Sequence, residues 1–200
     1  MTLLLSLWIK LFFVLTPFFA LTMFLTFTEG HSERHRRRLA IVVTVAVAAI
    51  GLTLFLAGRQ VFAVFGITVD SFRIGAGVLL LLSGIGLVHG KPVHSAGGPN
   101  GDVAVVPLAI PIIVGPATTG TLLVMGAEMS ALSSKVLGAA ALLLAVACVG
   151  AVLLAGAFIQ RVLGARGITI LSRLTGLVLS ALAAQMIMTG VQGFLHIPMT

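Results

Sequence analysis

Charge in this chain is almost confined to the gaps between six long apolar runs, residues 3–28, 39–58, 71–90, 103–127, 136–159 and 169–194. Each run reaches the roughly 20 residues that carry a helix across the hydrocarbon core of a bilayer. With 59% of 200 residues hydrophobic and only 8% charged, there is too little charge to coat a soluble domain, so lipid must serve as the solvent. In lipid the backbone must satisfy its own hydrogen bonds. A barrel would show alternating residues, whereas these runs are continuously apolar. The expected fold class is therefore an all-α membrane protein with six transmembrane helices.

The net charge of +7 does not indicate a nucleic-acid partner. Its basic residues are scattered or held in one short segment, Arg34 to Arg38, with neither a continuous basic face nor aromatic residues to stack on bases. The single cysteine, Cys148, lies within an apolar run and can form neither an intrachain disulfide nor a CxxC site. A cleaved signal peptide fits the first run poorly: it has no basic leader, carries Lys10 in its middle and is too long.

The two halves match in order at a spacing near 100 residues. Thr16-Pro17 corresponds to Gly115-Pro116, Thr22 to Thr121, and Leu56-Ala57-Gly58 to Leu154-Ala155-Gly156. Gly66-Ile67-Thr68 recurs as Gly167-Ile168-Thr169, Arg73 as Arg173 and Gly90 as Gly190. Three spans per half is an odd number, so the second half enters the membrane from the other side, as in the inverted repeats of secondary transporters. The expected organisation is a first repeat at 1–95, a connecting loop at 96–102 and a second repeat at 103–200, within one membrane domain. Arginines 34, 36, 37, 38, 161 and 166 and Lys91 fall between spans on one side, which predicts that side to be cytosolic and both termini to be outside.

Prolines inside spans one and four mark the candidate site. Pro17 removes a backbone donor at Thr16-Pro17, and the fourth run holds Pro107, Pro111 and Pro116 beside Thr118 and Thr119. Interrupted helices expose backbone groups that are tolerated at membrane depth only when buried by protein or lining a wet cavity. New helix N-termini after Pro17 and Pro116 direct N–H donors at an anion such as a carboxylate. The candidate substrate-binding residues are Thr16, Pro17, Thr22, Pro111, Gly115, Pro116, Thr118 and Thr119. Simple proline kinks serving only packing are the alternative. Asp70 and Arg73, three apart, are expected to pair. His89 and His94 have no helical His-x-x-x-His spacing or acidic partner, so no metal site is expected, and no cofactor.

The six-span order, the run Phe72-Arg73-Ile74-Gly75-Ala76-Gly77-Val78-Leu79-Leu80 and above all Pro107-Leu108-Ala109-Ile110-Pro111-Ile112-Ile113-Val114-Gly115-Pro116 resemble the MarC family, the UPF0056 group. That resemblance implies a bacterial or archaeal inner-membrane protein, related in plan to LysE-type exporters, some members being described as transporters of small neutral amino acids. One segment departs from the family. Where its first span reads Asp-Pro-x-Gly-Asn-x-Pro-x-Phe, this chain has Thr16-Pro17-Phe18-Phe19-Ala20-Leu21-Thr22-Met23-Phe24, losing the acid, the amide and the second proline.

The expected function is secondary transport of small neutral solutes, small amino acids foremost, by alternating access, with a small-molecule substrate and membrane lipid as partners. The alternative is a degenerate, non-transporting member acting as a membrane interaction or structural protein. Enzymatic activity is not expected: a thiol–electron carrier needs a cysteine pair, an intramembrane aspartyl protease two acids within spans, and a serine protease a Gly-x-Ser-Gly with an intramembrane histidine.

Overall fold

The computed structural model describes residues 2–90, 108–109 and 112–195. Pro107, Pro111, Lys91 and His94 lie outside the described residues. The regular elements are helices: α1 (Thr2–Val14), α2 (Pro17–Phe27), α3 (Glu33–Phe65), α4 (Val69–His89), α5 (Pro116–Glu128), α6 (Leu132–Leu154) and α7 (Gly156–Phe194). Five segments are long and apolar enough to cross a membrane: Leu3–Phe27, Glu33–Phe65, Val69–His89, Leu132–Leu154 and Gly156–Phe194. At 13 residues α5 is shorter than a full span.

Local chemistry sets several boundaries. Ser32 caps α3 by accepting the His35 N–H at 3.3 Å, so Glu33 to Arg38, expected as an inter-span loop, forms the first turns of the helix instead. At 33 residues α3 is about 50 Å long, enough to place that arginine-rich turn beyond the hydrocarbon. The helix closes on left-handed Gly66, and Thr68 starts α4 by accepting the Ser71 N–H at 3.1 Å. The matched Gly167-Ile168-Thr169 makes no such turn. It lies inside α7, whose break falls earlier, at Gly164 (φ 64°, ψ 172°), so Arg161 and Arg166 are also on helix rather than loop.

The bundle is assembled from pairs of close helices. α4 and α7 run antiparallel, with Gly190 against Asp70 and Gly84 against Gly176. α3 packs along α5 in the same direction and against α6 in the opposite one. Leu11, Leu21 and Phe24 from α1 and α2 with Leu15 between them, Val43, Val47 and Phe55 from α3, and Leu142, Val146 and Val149 from α6 form the main core. Outside it, Val45, Leu56, Val64, Phe158, Ile170 and Leu177 are exposed. An apolar outer surface of this extent suits lipid and would aggregate in water.

With no hydrophobic force driving one lipid-embedded helix onto another, association depends on close backbone approach at small residues. At Gly126 a β-carbon would lie 1.8 Å from the Phe55 carbonyl oxygen, whereas one at Gly75 meets nothing within 4 Å. Gly126→Ala should therefore destabilise the protein in detergent by at least about 2 kcal/mol, as overpacking does. Gly75→Ala should leave the melting temperature unchanged or raise it, since alanine is the better helix former. Equal melting temperatures for the two variants would contradict the α3–α5 contact.

Candidate functional site: two broken helices joined at Thr118

Span one is broken in the middle. The Leu15 N–H still reaches Leu11 at 2.9 Å, but the Thr16 N–H turns to Phe13 at 2.9 Å, a tightened last turn. Thr16 then takes a left-handed conformation (φ 48°, ψ 56°), and α2 restarts at buried Pro17. Pro17 has no N–H, so its fixed φ suits the first helical position. Thr16 is the only non-glycine among the described residues with positive φ. A β-branched residue is disfavoured there, at a cost of roughly 1–2 kcal/mol.

The second break has different local chemistry. Val114 donates to the Ala109 carbonyl at 2.9 Å, a five-residue turn wider than α, and Gly115 follows in extended conformation (φ −82°, ψ −179°). α5 then starts on Pro116, as α2 starts on Pro17. Neither Thr16 nor Gly115 offers a side-chain cap. The Phe18, Phe19, Ala117 and Thr118 N–H groups therefore have no acceptor inside their helices.

The two breaks meet at one side chain. Thr118 is 4% exposed, and its hydroxyl donates to the Val14 carbonyl at 3.2 Å and the Ile113 carbonyl at 3.0 Å. Both acceptors are groups that a continuous helix would have satisfied along its own axis. Thr16, Pro17, Gly115, Pro116 and Thr118 are thus brought to one junction, with Pro116 exposed and half-buried Thr119 directing its N–H to Gly115. Pro111, the remaining expected residue of this run, is not described. Thr22 stands apart, five residues along α2, with its hydroxyl donating to Phe18 at 2.9 Å.

Thr22 instead lines a cavity of about 350 Å³ with Thr28, Glu29, Arg36, Gln160 and Thr169. Its sequence partner Thr121 lines another, of about 180 Å³, with Lys10, Arg73, Glu128, Gln185 and Thr189. These cavities lie at opposite ends of the bundle. The first is at the α2–α3 turn. The second is at the C-terminal end of α5, beside the later part of α3, as the Gly126–Phe55 and Gly58–Leu123 approaches require. Arg73 pairs with Asp70, as the sequence spacing predicts, and also with Glu128. The Arg73 Nε–Glu128 Oε1 bond of 2.8 Å spans 55 residues. No helical periodicity signals so distant a contact.

Residues 1–195 match the model of the MarC family integral membrane proteins. The chain belongs to the MarC family. It is 34% identical over 193 residues to a UPF0056 membrane protein of Methanocaldococcus jannaschii, covering 93% of this chain and 94% of that one. A UPF0056 membrane protein of Pyrococcus abyssi is 33% identical over 192 residues, covering 94% and 93%. The UPF0056 inner membrane protein YhgN of Escherichia coli is 30% identical over 187 residues, covering 92% and 93%. No solved structure matches. Family membership and the apolar helices together make this a multi-pass integral membrane protein.

The junction is open to a paired test in this MarC protein. Thr118→Val leaves two buried carbonyls without their donor, so it should cost roughly 1–2 kcal/mol. That corresponds to a melting temperature lower by about 2–8 °C for a chain of this size. Thr16→Asn, better suited to a left-handed backbone, should raise it. A neutral Thr118→Val together with a destabilising Thr16→Asn would contradict the described break.

Proposed function

We propose that this MarC protein is a secondary transporter of small neutral solutes, small amino acids foremost, and not an enzyme. In this reading the six apolar runs are six spans, arranged as two inverted halves, 1–95 and 103–200, joined by 96–102. The pattern of helix neighbours supports that arrangement. Exchanging the α1–α2 pair with α5, α3 with α6 and α4 with α7 maps the main helix contacts onto one another: α3–α5 onto α6 with α1 and α2, and α2–α7 onto α5–α4. The α3–α6 and α4–α7 contacts map onto themselves.

The observation that carries the proposal is the junction with a cavity beyond each half-helix. Two uncapped N-termini present donors and partial positive charge near the middle of the bundle, where a substrate carboxylate is the natural counter-charge. Thr16, Thr118 and Thr119 and the adjacent backbone supply further hydrogen-bonding groups, and Thr22 lies toward one cavity. Arg36, Arg37 and Arg161 gather at the end where α2 stops and α7 starts, which supports placing that end in the cytosol. The start of α1 and the end of α7 both lie at the other end, around Lys10 and Thr189, consistent with both termini outside a bacterial or archaeal plasma membrane.

A second reading, a member that no longer transports, is favoured by one local feature. Thr16 and Phe19-Ala20 stand where the resemblance gives an acid and a Gly-Asn pair, which removes polar groups from this half-site. Purified protein in proteoliposomes separates the two. Preloaded or external glycine, alanine and serine should cross faster than in vesicles without protein, and the flux should saturate with concentration. Absence of saturable flux for every amino acid tested, in either direction and at any imposed proton or sodium gradient, would favour the non-transporting reading.

A further inference from the structure

The two cavities share more than a threonine. Counting from the proline that opens each half-helix, Thr22 and Thr121 are both the fifth residue onward, and Glu29 and Glu128 are both the twelfth. Glu128 is the last residue of α5 and Glu29 sits in the turn two residues past the end of α2, and each lines the cavity that its threonine lines. Each cavity also holds one arginine from a neighbouring helix, Arg36 in one and Arg73 in the other. The set at each end is thus a carboxylate, a guanidinium and a hydroxyl, with Glu29 in the α2–α3 turn and the others on helices.

We propose that these cavities are equivalent entry stations for a zwitterion, one at each membrane face, in which Glu29 or Glu128 holds the ammonium and Arg36 or Arg73 the carboxylate. This rests on the transport reading above and supplies what the central junction lacks, an acidic group for the substrate's positive end. The stations differ in state. At the α5 end, Glu128 is already bound to Arg73, which also holds Asp70. At the α2 end, no cation lies within ion-pair distance of Glu29 among the described residues.

An ammonium carboxylate entering the α5 cavity can replace one protein ion pair by two. Its carboxylate takes Arg73, with Lys10 at the rim, and its ammonium takes Glu128, while Asp70 remains on Arg73. No net charge enters the membrane, and the tie between α4 and α5 is released. An acid without an amine, or an amine without an acid, makes only one of the two contacts and leaves the other group unpaired. That rejects it through desolvation rather than shape. A cavity of about 180 Å³ has room for a small zwitterion such as glycine or alanine.

Four proteins should be compared in oriented proteoliposomes: wild type, Glu29→Gln, Glu128→Gln and Glu128→Asp. Radiolabelled alanine is the probe, with propionate and ethylamine as competitors. Wild type should be inhibited by excess glycine and not by either competitor. Each variant should raise KM at least tenfold for alanine offered at its own face and much less at the other, because one charge-assisted contact is lost. Glu128→Asp should recover part of that loss. In Glu128→Gln, propionate should become a competitor at the α5 face. Wild-type transport of alanine with unaltered KM in both glutamine variants would overturn the stations and leave the transport reading standing. No binding or transport of any zwitterion by wild type would overturn both.

Discussion

A single hydroxyl links the two halves of this molecule. Thr118 donates to a carbonyl left unpaired by the break in span one and to another left unpaired by the turn before α5. In water either carbonyl could find a solvent partner. At membrane depth that partner has to come from the protein, and hydrocarbon offers none. The breaks are therefore acceptable only together: α1 stops where α5 begins, and the hydroxyl at the third position of α5 shares its one proton between both carbonyls. From that junction α2 and α5 diverge, and so the cavities beyond them fall at opposite ends of the bundle. The junction's energy is modest, near that of one hydrogen bond. Its effect on architecture comes from position.

The class of fold was legible in the sequence because lipid imposes the coarsest possible rule, long apolar runs with charge between them. The break at Pro17 was legible for an equally simple reason, the missing N–H. Other features depend on local geometry that composition does not encode. Arg34 to Arg38 reads as a loop because it is charged, yet Ser32 caps it into α3. Gly66-Ile67-Thr68 and Gly167-Ile168-Thr169 are the same letters in different conformations, since the turn in the second case has moved to Gly164. The left-handed backbone at Thr16 gives no sequence signal, because threonine is a poor choice for it. An aspartate, which the family resemblance gives at this position, tolerates that conformation better. Against that aspartate, Thr16 carries no charge and fits the left-handed backbone less well.

The candidate site was only half readable. Proline, glycine and threonine in spans one and four pointed to the junction, and Arg73 to Asp70 by their spacing. The contact of Arg73 with Glu128 joins residues 55 apart on different helices, and the cavities depend on how α7 lies against α2 and α4. Thr118, read from the sequence as a substrate ligand, has its proton engaged by backbone carbonyls, so its oxygen lone pairs are what remain for a ligand. The balance of roles shifts accordingly. The junction organises the fold and orients two helix N-termini, and the polar groups available at the cavities lie farther along each half-helix.

The central claim is that one junction sends two half-helices to opposite faces of the membrane, each ending in a cavity open to its own side. The most direct measurement is thiol labelling with a membrane-impermeant maleimide, for which a single substitution, Cys148→Ala, removes the native cysteine. In that background Thr26→Cys reports the α2 cavity and Thr189→Cys the α5 cavity. The account predicts that, in intact cells, reagent added outside labels Thr189→Cys and spares Thr26→Cys, with the reverse in inside-out vesicles. Labelling of both positions from the same face would contradict it.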